Sequence, residues 1–283
     1  KNRITPGINV PSASDITYGQ PLSESTLSFV YNGACDPTTG NPVEGELRWK
    51  DGSIVPGTTD NDNWYEYEFI PAASYDGIYA AVTGNVYVKV NPAELTGVSV
   101  EQTGTLTYNT HKQRADVTAQ ATAVNGQQVT FTYSAEENGT YSAAVPAFMD
   151  AGTYTVYYKA SAPNHVTATG SFTVTIEKAI VTVIALDKTA HVRRKAPDLS
   201  NPVKDKDYTV SDLFGDDQLT GTIKLTYVDD DGNEIVPSTS NSGEFIIRAS
   251  GLTAPNENYA VVFVDGTLTI LPRSSSGGSN QGD

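Results

Sequence analysis

The segment Thr169-Gly170-Ser171-Phe172-Thr173-Val174-Thr175-Ile176 sets a glycine ahead of a run that alternates apolar and polar residues, the pattern of a β-strand with one buried face. The same phrase recurs as Thr83-Gly84-Asn85-Val86-Tyr87-Val88-Lys89-Val90 and as Asp265-Gly266-Thr267-Leu268-Thr269-Ile270-Leu271. Each glycine reads as a turn residue that launches its strand. From Gly84 to Gly170 to Gly266 the spacings are 86 and 96 residues. A period of that size implies a string of sandwich-sized domains with separate cores, and 283 residues hold three of them.

A partner strand precedes each phrase. Gly152-Thr153-Tyr154-Thr155-Val156-Tyr157-Tyr158-Lys159-Ala160 closes before Ser161-Ala162-Pro163-Asn164 and predicts a hairpin with the Gly170 strand. Asn63-Trp64-Tyr65-Glu66-Tyr67-Glu68-Phe69-Ile70 stands in the same place before the Gly84 strand, and Gly243-Glu244-Phe245-Ile246-Ile247-Arg248-Ala249 before the Gly266 strand. No stretch of a dozen residues sustains a helical apolar period, and the 16 Tyr with abundant Thr and Val suit pleated strands. The expected fold class is all-β, divided into repeats at 1–93 (with a diverged middle at 32–62), 94–178 and 179–272, followed by a linker-like tail at 273–283 rich in Ser and Gly. Almost no residues separate one repeat from the next, so an end-to-end arrangement is expected.

The formal charge is −15, and no repeat is basic: 5 basic face 12 acidic residues in 1–94, 4 face 6 in 95–178, and 8 face 14 in 179–272. Phosphate backbones and anionic bilayers are met by Lys and Arg surfaces, so neither nucleic acid nor direct membrane insertion is expected. The single cysteine, Cys35, cannot form an internal disulfide, and the three histidines fall in separate places. No apolar run is long enough to span a bilayer. The opening Lys1-Asn2-Arg3 reads as internal to a longer secreted chain.

The stretch Asp150-Ala151-Gly152-Thr153-Tyr154-Thr155-Val156-Tyr157-Tyr158-Lys159, with Ala162-Pro163-Asn164 ahead of the Gly170 strand, resembles the bacterial immunoglobulin-like MBG repeats of large surface proteins, among them adhesins and mucin-binding proteins. In the third repeat Asp217-Gln218-Leu219-Thr220-Gly221-Thr222-Ile223, and Ser250-Gly251-Leu252-Thr253-Ala254-Pro255-Asn256-Glu257-Asn258-Tyr259 through the Gly266 strand, are similar to the same group. Thr17-Tyr18-Gly19-Gln20-Pro21-Leu22 carries the likeness in the first repeat, whereas residues 32–62 depart from it. The resemblance implies three tandem immunoglobulin-like β-sandwich domains and an extracellular, cell-surface setting in a bacterium.

Candidate site residues fall into three groups. Trp49 and Trp64, the only tryptophans, lie with Tyr65 and Tyr75 in the first repeat, where exposed rings would stack on the apolar faces of sugars. The competing reading puts a tryptophan in the sandwich core, and the opposite parity of Trp64 and Phe69 sends one of those two rings outward. Asp229 and Asp231, and Asp60 and Asp62, supply the oxygens of a candidate calcium site. If Gly232 were the sixth residue of an EF-hand loop, however, Tyr227 and Ser238 would hold the first and twelfth positions, so Asp229-Asp230-Asp231-Gly232-Asn233 reads rather as a hairpin turn. His191-Val192-Arg193-Arg194-Lys195 is a basic cluster that meets an anionic glycan or the acidic face of a neighbouring domain, or is a solvated loop at the start of the third repeat.

No Gly-x-Ser-x-Gly elbow, His-Glu-x-x-His pair or phosphate loop occurs, so no enzyme and no cofactor other than calcium is expected. The function read from the sequence is a non-catalytic, monomeric stalk or adhesion segment. The alternative is a module that binds a host or plant glycan, a mucin or another surface protein through the aromatics of the first repeat, in one version as an accessory to a secreted glycan-degrading enzyme.

Overall fold

The structure, a computed structural model, describes residues 2–58 and 62–273. Asp60 and the tail 274–283 therefore lie outside the described residues. Among the described residues the chain is all β, with strands, turns and short 3-10 segments and no α-helix. It groups into two compact units, one of Lys1–Gln102, Asp116–Pro146 and Thr155–Phe172, the other of Thr103–Ala115, Ala147–Tyr154 and Thr173–Asp283. Residues 94–178 thus contribute to both.

In the first unit, Trp64–Pro71 is the middle strand of a three-stranded antiparallel sheet, between Gly45–Trp49 and Val82–Tyr87. Strand parity sorts its side chains. Phe69 is fully buried against Ala34 and Val43, while Trp64, of the opposite parity, is 55% exposed. Burying a phenylalanine of this kind stabilises by about 1.5–3 kcal/mol. The outer face carries Glu66 and Glu68, paired with Lys50 at 2.7 Å and Arg48 at 3.1 Å. Such exposed pairs contribute little to stability. A second cluster, Ile16, Tyr18, Leu22, Val88, Val90 and Ala93, closes the other end of this repeat.

The second unit contains a complete two-sheet sandwich. Tyr208–Val210, Ala179–Ala185 and Tyr259–Val264 form one sheet, and Lys188–His191, Gly266–Leu271, Gly243–Thr253 and Thr220–Val228 form the other. Val183, Leu225, Ile247, Leu268 and Ile270 belong to the buried core of this sandwich. Gly243–Thr253 pairs antiparallel with Gly266–Leu271 as expected, but the chain between them first runs through the opposite sheet as Tyr259–Val264. Where the opening strand changes sheet, Asp187 Oδ1 accepts the Thr267 amide at 2.8 Å. Nearby, Asp207 is buried and accepts from Lys188 Nζ at 2.5 Å and from the Val203 amide at 2.7 Å.

One pairing recurs in all three repeats: the opening strand runs parallel to the closing one. Ile16 sits opposite Val90, Leu106 opposite Ile176, and Lys188–His191 opposite residues of Gly266–Leu271.

The glycines that mark the repeats are not turn residues in the first two cases. Gly84 and Gly170 lie inside Val82–Tyr87 and Ala168–Glu177. A Cβ on Gly84 would stand 2.7 Å from the hydroxyl of Tyr67, its cross-strand partner, and one on Gly170 would stand 2.4 Å from the hydroxyl of Tyr158. A tyrosine ring laid across the backbone excludes any side chain there. Gly266 does begin its strand, and a Cβ on it would meet the Ala185 carbonyl oxygen at 2.4 Å.

Two outcomes follow. Gly84→Ala should destabilise by about 1–3 kcal/mol because Tyr67 is buried and has no room to retreat, whereas Gly243→Ala, which meets nothing within 4 Å, should fall within about 0.5 kcal/mol of the parent; equal melting shifts would refute the ring-over-glycine account. The Lys188 ammonium, then the Val203 amide, hold the Asp207 carboxyl below its usual range. A carboxyl lowered in the folded state stabilises above its unfolded pKa of about 3.9 and loses that contribution as pH falls through the folded value. Asp207→Asn should therefore be less stable at neutral pH and show a shallower acid loss, read by thermal melts across that range.

Candidate functional site

The four aromatic candidates do not converge. Trp49 is half-buried, packs against the Ile16–Leu22 cluster together with Tyr65, and donates its indole N–H to the Ser25 carbonyl at 2.8 Å. Tyr75 belongs to the Phe69 cluster, edge-on to Tyr79 with centroids 5.4 Å apart. Tyr79 in turn donates to Asp36 Oδ2 at 2.9 Å. Trp64 alone faces outward, and its cross-strand partner Tyr87 meets it edge-on at 5.7 Å. Tyr87 was not singled out from the sequence. Register information was needed, because the two residues are far apart in the chain and opposed only in the ladder.

The acidic candidates are used within loops. Asp229 Oδ1 accepts the amides of Asp231 at 3.1 Å and Asn233 at 2.8 Å, and its Oδ2 accepts from Asn233 Nδ2 at 3.2 Å. The Asn233 and neighbouring loop donors hold the carboxyl below its usual range. The Ile235 amide bonds back to the Tyr227 carbonyl at 2.9 Å, so the stretch is a hairpin turn. Asp62 is exposed just before the Trp64 strand. Among the described residues, no group of three or more His, Cys, Asp or Glu is placed to hold a metal ion.

The most organised polar sites are at the two places where one repeat gives way to the next, and they use the same positions. At the first, the Tyr18 amide bonds to the Asn91 carbonyl at 2.8 Å and its ring stands edge-on to His165 at 5.5 Å. His165 Nε2 accepts the Val124 amide at 2.9 Å while Nδ1 faces the Pro163 carbonyl at 2.7 Å, so the ring proton sits on Nδ1. Ala93 clamps the backbone: its amide bonds to the Asn164 carbonyl at 3.0 Å, and its carbonyl accepts the Val166 amide at 2.9 Å. Asn164 Oδ1 accepts the Thr58 amide at 3.0 Å and hydroxyl at 2.8 Å.

At the second, the Tyr108 amide bonds to the Glu177 carbonyl at 2.8 Å, and its ring meets Tyr259 at 5.6 Å and Phe214 at 5.8 Å. Tyr259 donates to Asp217 Oδ2 at 2.7 Å, and burial together with that carboxylate pushes its phenol up to about 12. The Ala179 amide bonds to the Asn258 carbonyl at 2.9 Å. The Asn258 side chain accepts from the Ala151 amide at 2.7 Å and donates to Asp150 Oδ1 at 3.1 Å. Lys178 Nζ pairs with Glu257 at 2.9 Å. Pro-Asn loops were read from the sequence as turns; that they receive the preceding repeat was not.

The third repeat also holds a groove of about 670 Å³ lined by Pro197, Leu199, Ile223, Leu225, Tyr227 and Ile235. Tyr227 donates to the Pro197 carbonyl at 2.8 Å, and burial pushes its phenol up to about 12. Lys224 and Glu234 on its wall are paired with each other.

The contrast between the tryptophans is directly measurable. Acrylamide should quench the fluorescence of Trp49→Phe, which retains Trp64, more steeply than that of Trp64→Phe; equal quenching would contradict their placement.

No curated protein matches the chain. The chain is similar to solved structures of Drosophila N-cadherin EC1-4, at 12% identity over 95% of this chain and 75% of that one with a TM-score of 0.26, and of the three N-terminal domains of the bacteriophage RB49 highly immunogenic outer capsid protein, at 12% identity over 94% and 99% with a TM-score of 0.31. Over residues 181–269, the sandwich of the second unit, the chain matches the family model of the MBG domain, YGX type.

Proposed function

We propose that the chain is a non-catalytic stalk or adhesion segment of a secreted bacterial surface protein, formed by three tandem immunoglobulin-like domains at 1–93, 94–178 and 179–272. The observation that carries this reading is the repeated junction. Tyr18 and Tyr108, Ala93 and Ala179, and Asn164 and Asn258 play the same parts at successive boundaries: each Ala amide bonds to the Asn carbonyl, at 3.0 and 2.9 Å, and each Asn Oδ1 accepts an amide of the preceding repeat, Thr58 at 3.0 Å and Ala151 at 2.7 Å. A repeat that is hydrogen-bonded to its neighbour and shares buried rings with it transmits position along the chain, which suits the spacing and presentation of a binding module. The match of residues 181–269 to the MBG domain supports the surface setting.

A second reading has one observation in its favour. Trp64 and Tyr87 form an outward aromatic pair beside Glu66 and Lys50, a surface on which a sugar ring of a host or plant glycan or mucin would stack.

Hydrogen exchange on the full chain tests the first reading. The amides of Ala93, Val166, Ala151 and Ala179 should exchange slowly, and Asn258→Ala should speed exchange at Ala151 and Ala179 by at least tenfold while Trp64→Ala leaves them unchanged. Free exchange at the junction amides in the parent would remove the stalk reading. Binding on a mucin and plant glycan array that is lost in a folded Trp64→Ala variant would replace it with the second.

A further inference from the structure

The turn that ends the opening strand of each repeat occupies one structural position. The Tyr18 amide bonds to Asn91, the Tyr108 amide to Glu177, and the Val192 amide to the Leu271 carbonyl at 3.0 Å. Beyond that amide the chemistry diverges. The first two turns continue as Gly19-Gln20 and Asn109-Thr110, both neutral, whereas the third continues as Arg193-Arg194. The exit residue changes in the same sense, from Ala93 and Ala179 to Arg273.

The third turn is held in shape. Arg193 has φ 65°, its amide bonds to the Thr239 carbonyl at 2.8 Å, and the Arg194 amide bonds to the His191 carbonyl at 2.9 Å. Around it lies a cavity of about 540 Å³ lined by His191, Val192, Arg193, Arg194 and Arg273, with no carboxylate in its wall. Among the described residues none of these three arginines is in an ion pair, although the chain carries 33 acidic residues. Lys195 lines the neighbouring groove instead.

Like charges gathered without counter-ions repel, and a guanidinium fork matches two oxygens of a sulfate or phosphate at once. A cavity of this size accommodates a sugar-sized unit. We infer that this end of the third repeat is an oxyanion site that takes the sulfate or phosphate esters of an anionic polysaccharide, with Arg193, Arg194 and Arg273 as the binding groups. It lies in a different repeat from Trp64 and does not depend on the stalk reading.

The test is calorimetric titration of the full chain with sucrose octasulfate and with poly(glycerol phosphate), against neutral sucrose. One or both polyanions should bind, with sucrose silent, and the tighter of the two identifies the ester. Arg193→Gln/Arg194→Gln should weaken binding at least tenfold with an unchanged melting temperature, while Lys204→Gln/Lys206→Gln, which removes two exposed charges elsewhere in the same repeat, should leave it within about twofold. Arg194→Lys should fall between, because it keeps the charge and loses the fork. Absence of binding by either polyanion, or equal loss in the lysine variant, would overturn the site. So would low-salt self-association abolished by the arginine variant without polyanion binding, which would assign the pocket to an acidic protein face.

Discussion

The parallel pairing of each repeat's opening strand with its closing strand is the constraint on which the other features rest. It joins residues about 70 to 80 positions apart, Ile16 with Val90 and Leu106 with Ile176, so it draws in the two ends of the repeat. Closing so long a loop costs entropy that grows only slowly with length. Buried strands between the ends offset it. Once the ends are side by side, the residue after the opening strand and the exit of the closing strand share one end of the repeat, the place where Tyr18 and Ala93 meet their partners.

From this arrangement the junctions follow without a separate linker. The exit residue of one repeat starts the first strand of the next, as Ala179 does by opening Ala179–Ala185 opposite Tyr259. Its amide must find an acceptor, and the loop before Tyr259–Val264 supplies the Asn258 carbonyl. The aromatic ring at the end of the opening strand then covers that loop. At the second junction Tyr108, Phe214 and Tyr259 form a ring cluster in which the Tyr259 hydroxyl donates to Asp217. The Asp217 carboxylate is thereby a structural acceptor.

The same economy explains the acidic turns. Asp229 spends its oxygens on the amides of its own hairpin, and Asp36 on those of Thr38 and Thr39 with the Tyr79 hydroxyl, which together hold its carboxyl below the usual range. Clustered carboxylates in loops of this kind close turns first. The third repeat's Arg-bearing turn differs, because its backbone is satisfied while its guanidinium groups are left facing a cavity.

The sequence by itself determined the strand content, the opposite parity of Phe69 and Trp64 though not which of them is buried, the partner strands and the recurrence at about 90 residues, because alternation and turn chemistry are local properties written every second residue. Tertiary structure alone decided the rest. Gly84 and Gly170 look like turn residues until Tyr67 and Tyr158 are seen lying across them, and Trp49 looks as available as Trp64 until its indole N–H is seen bonded to Ser25. Nor does any local pattern mark Tyr18 and Tyr108 as junction residues. Their role depends on contacts with loops some 110 to 150 positions away, and contacts at that separation are set by how sheets stack and repeats abut, for which no short stretch of chain carries a signal.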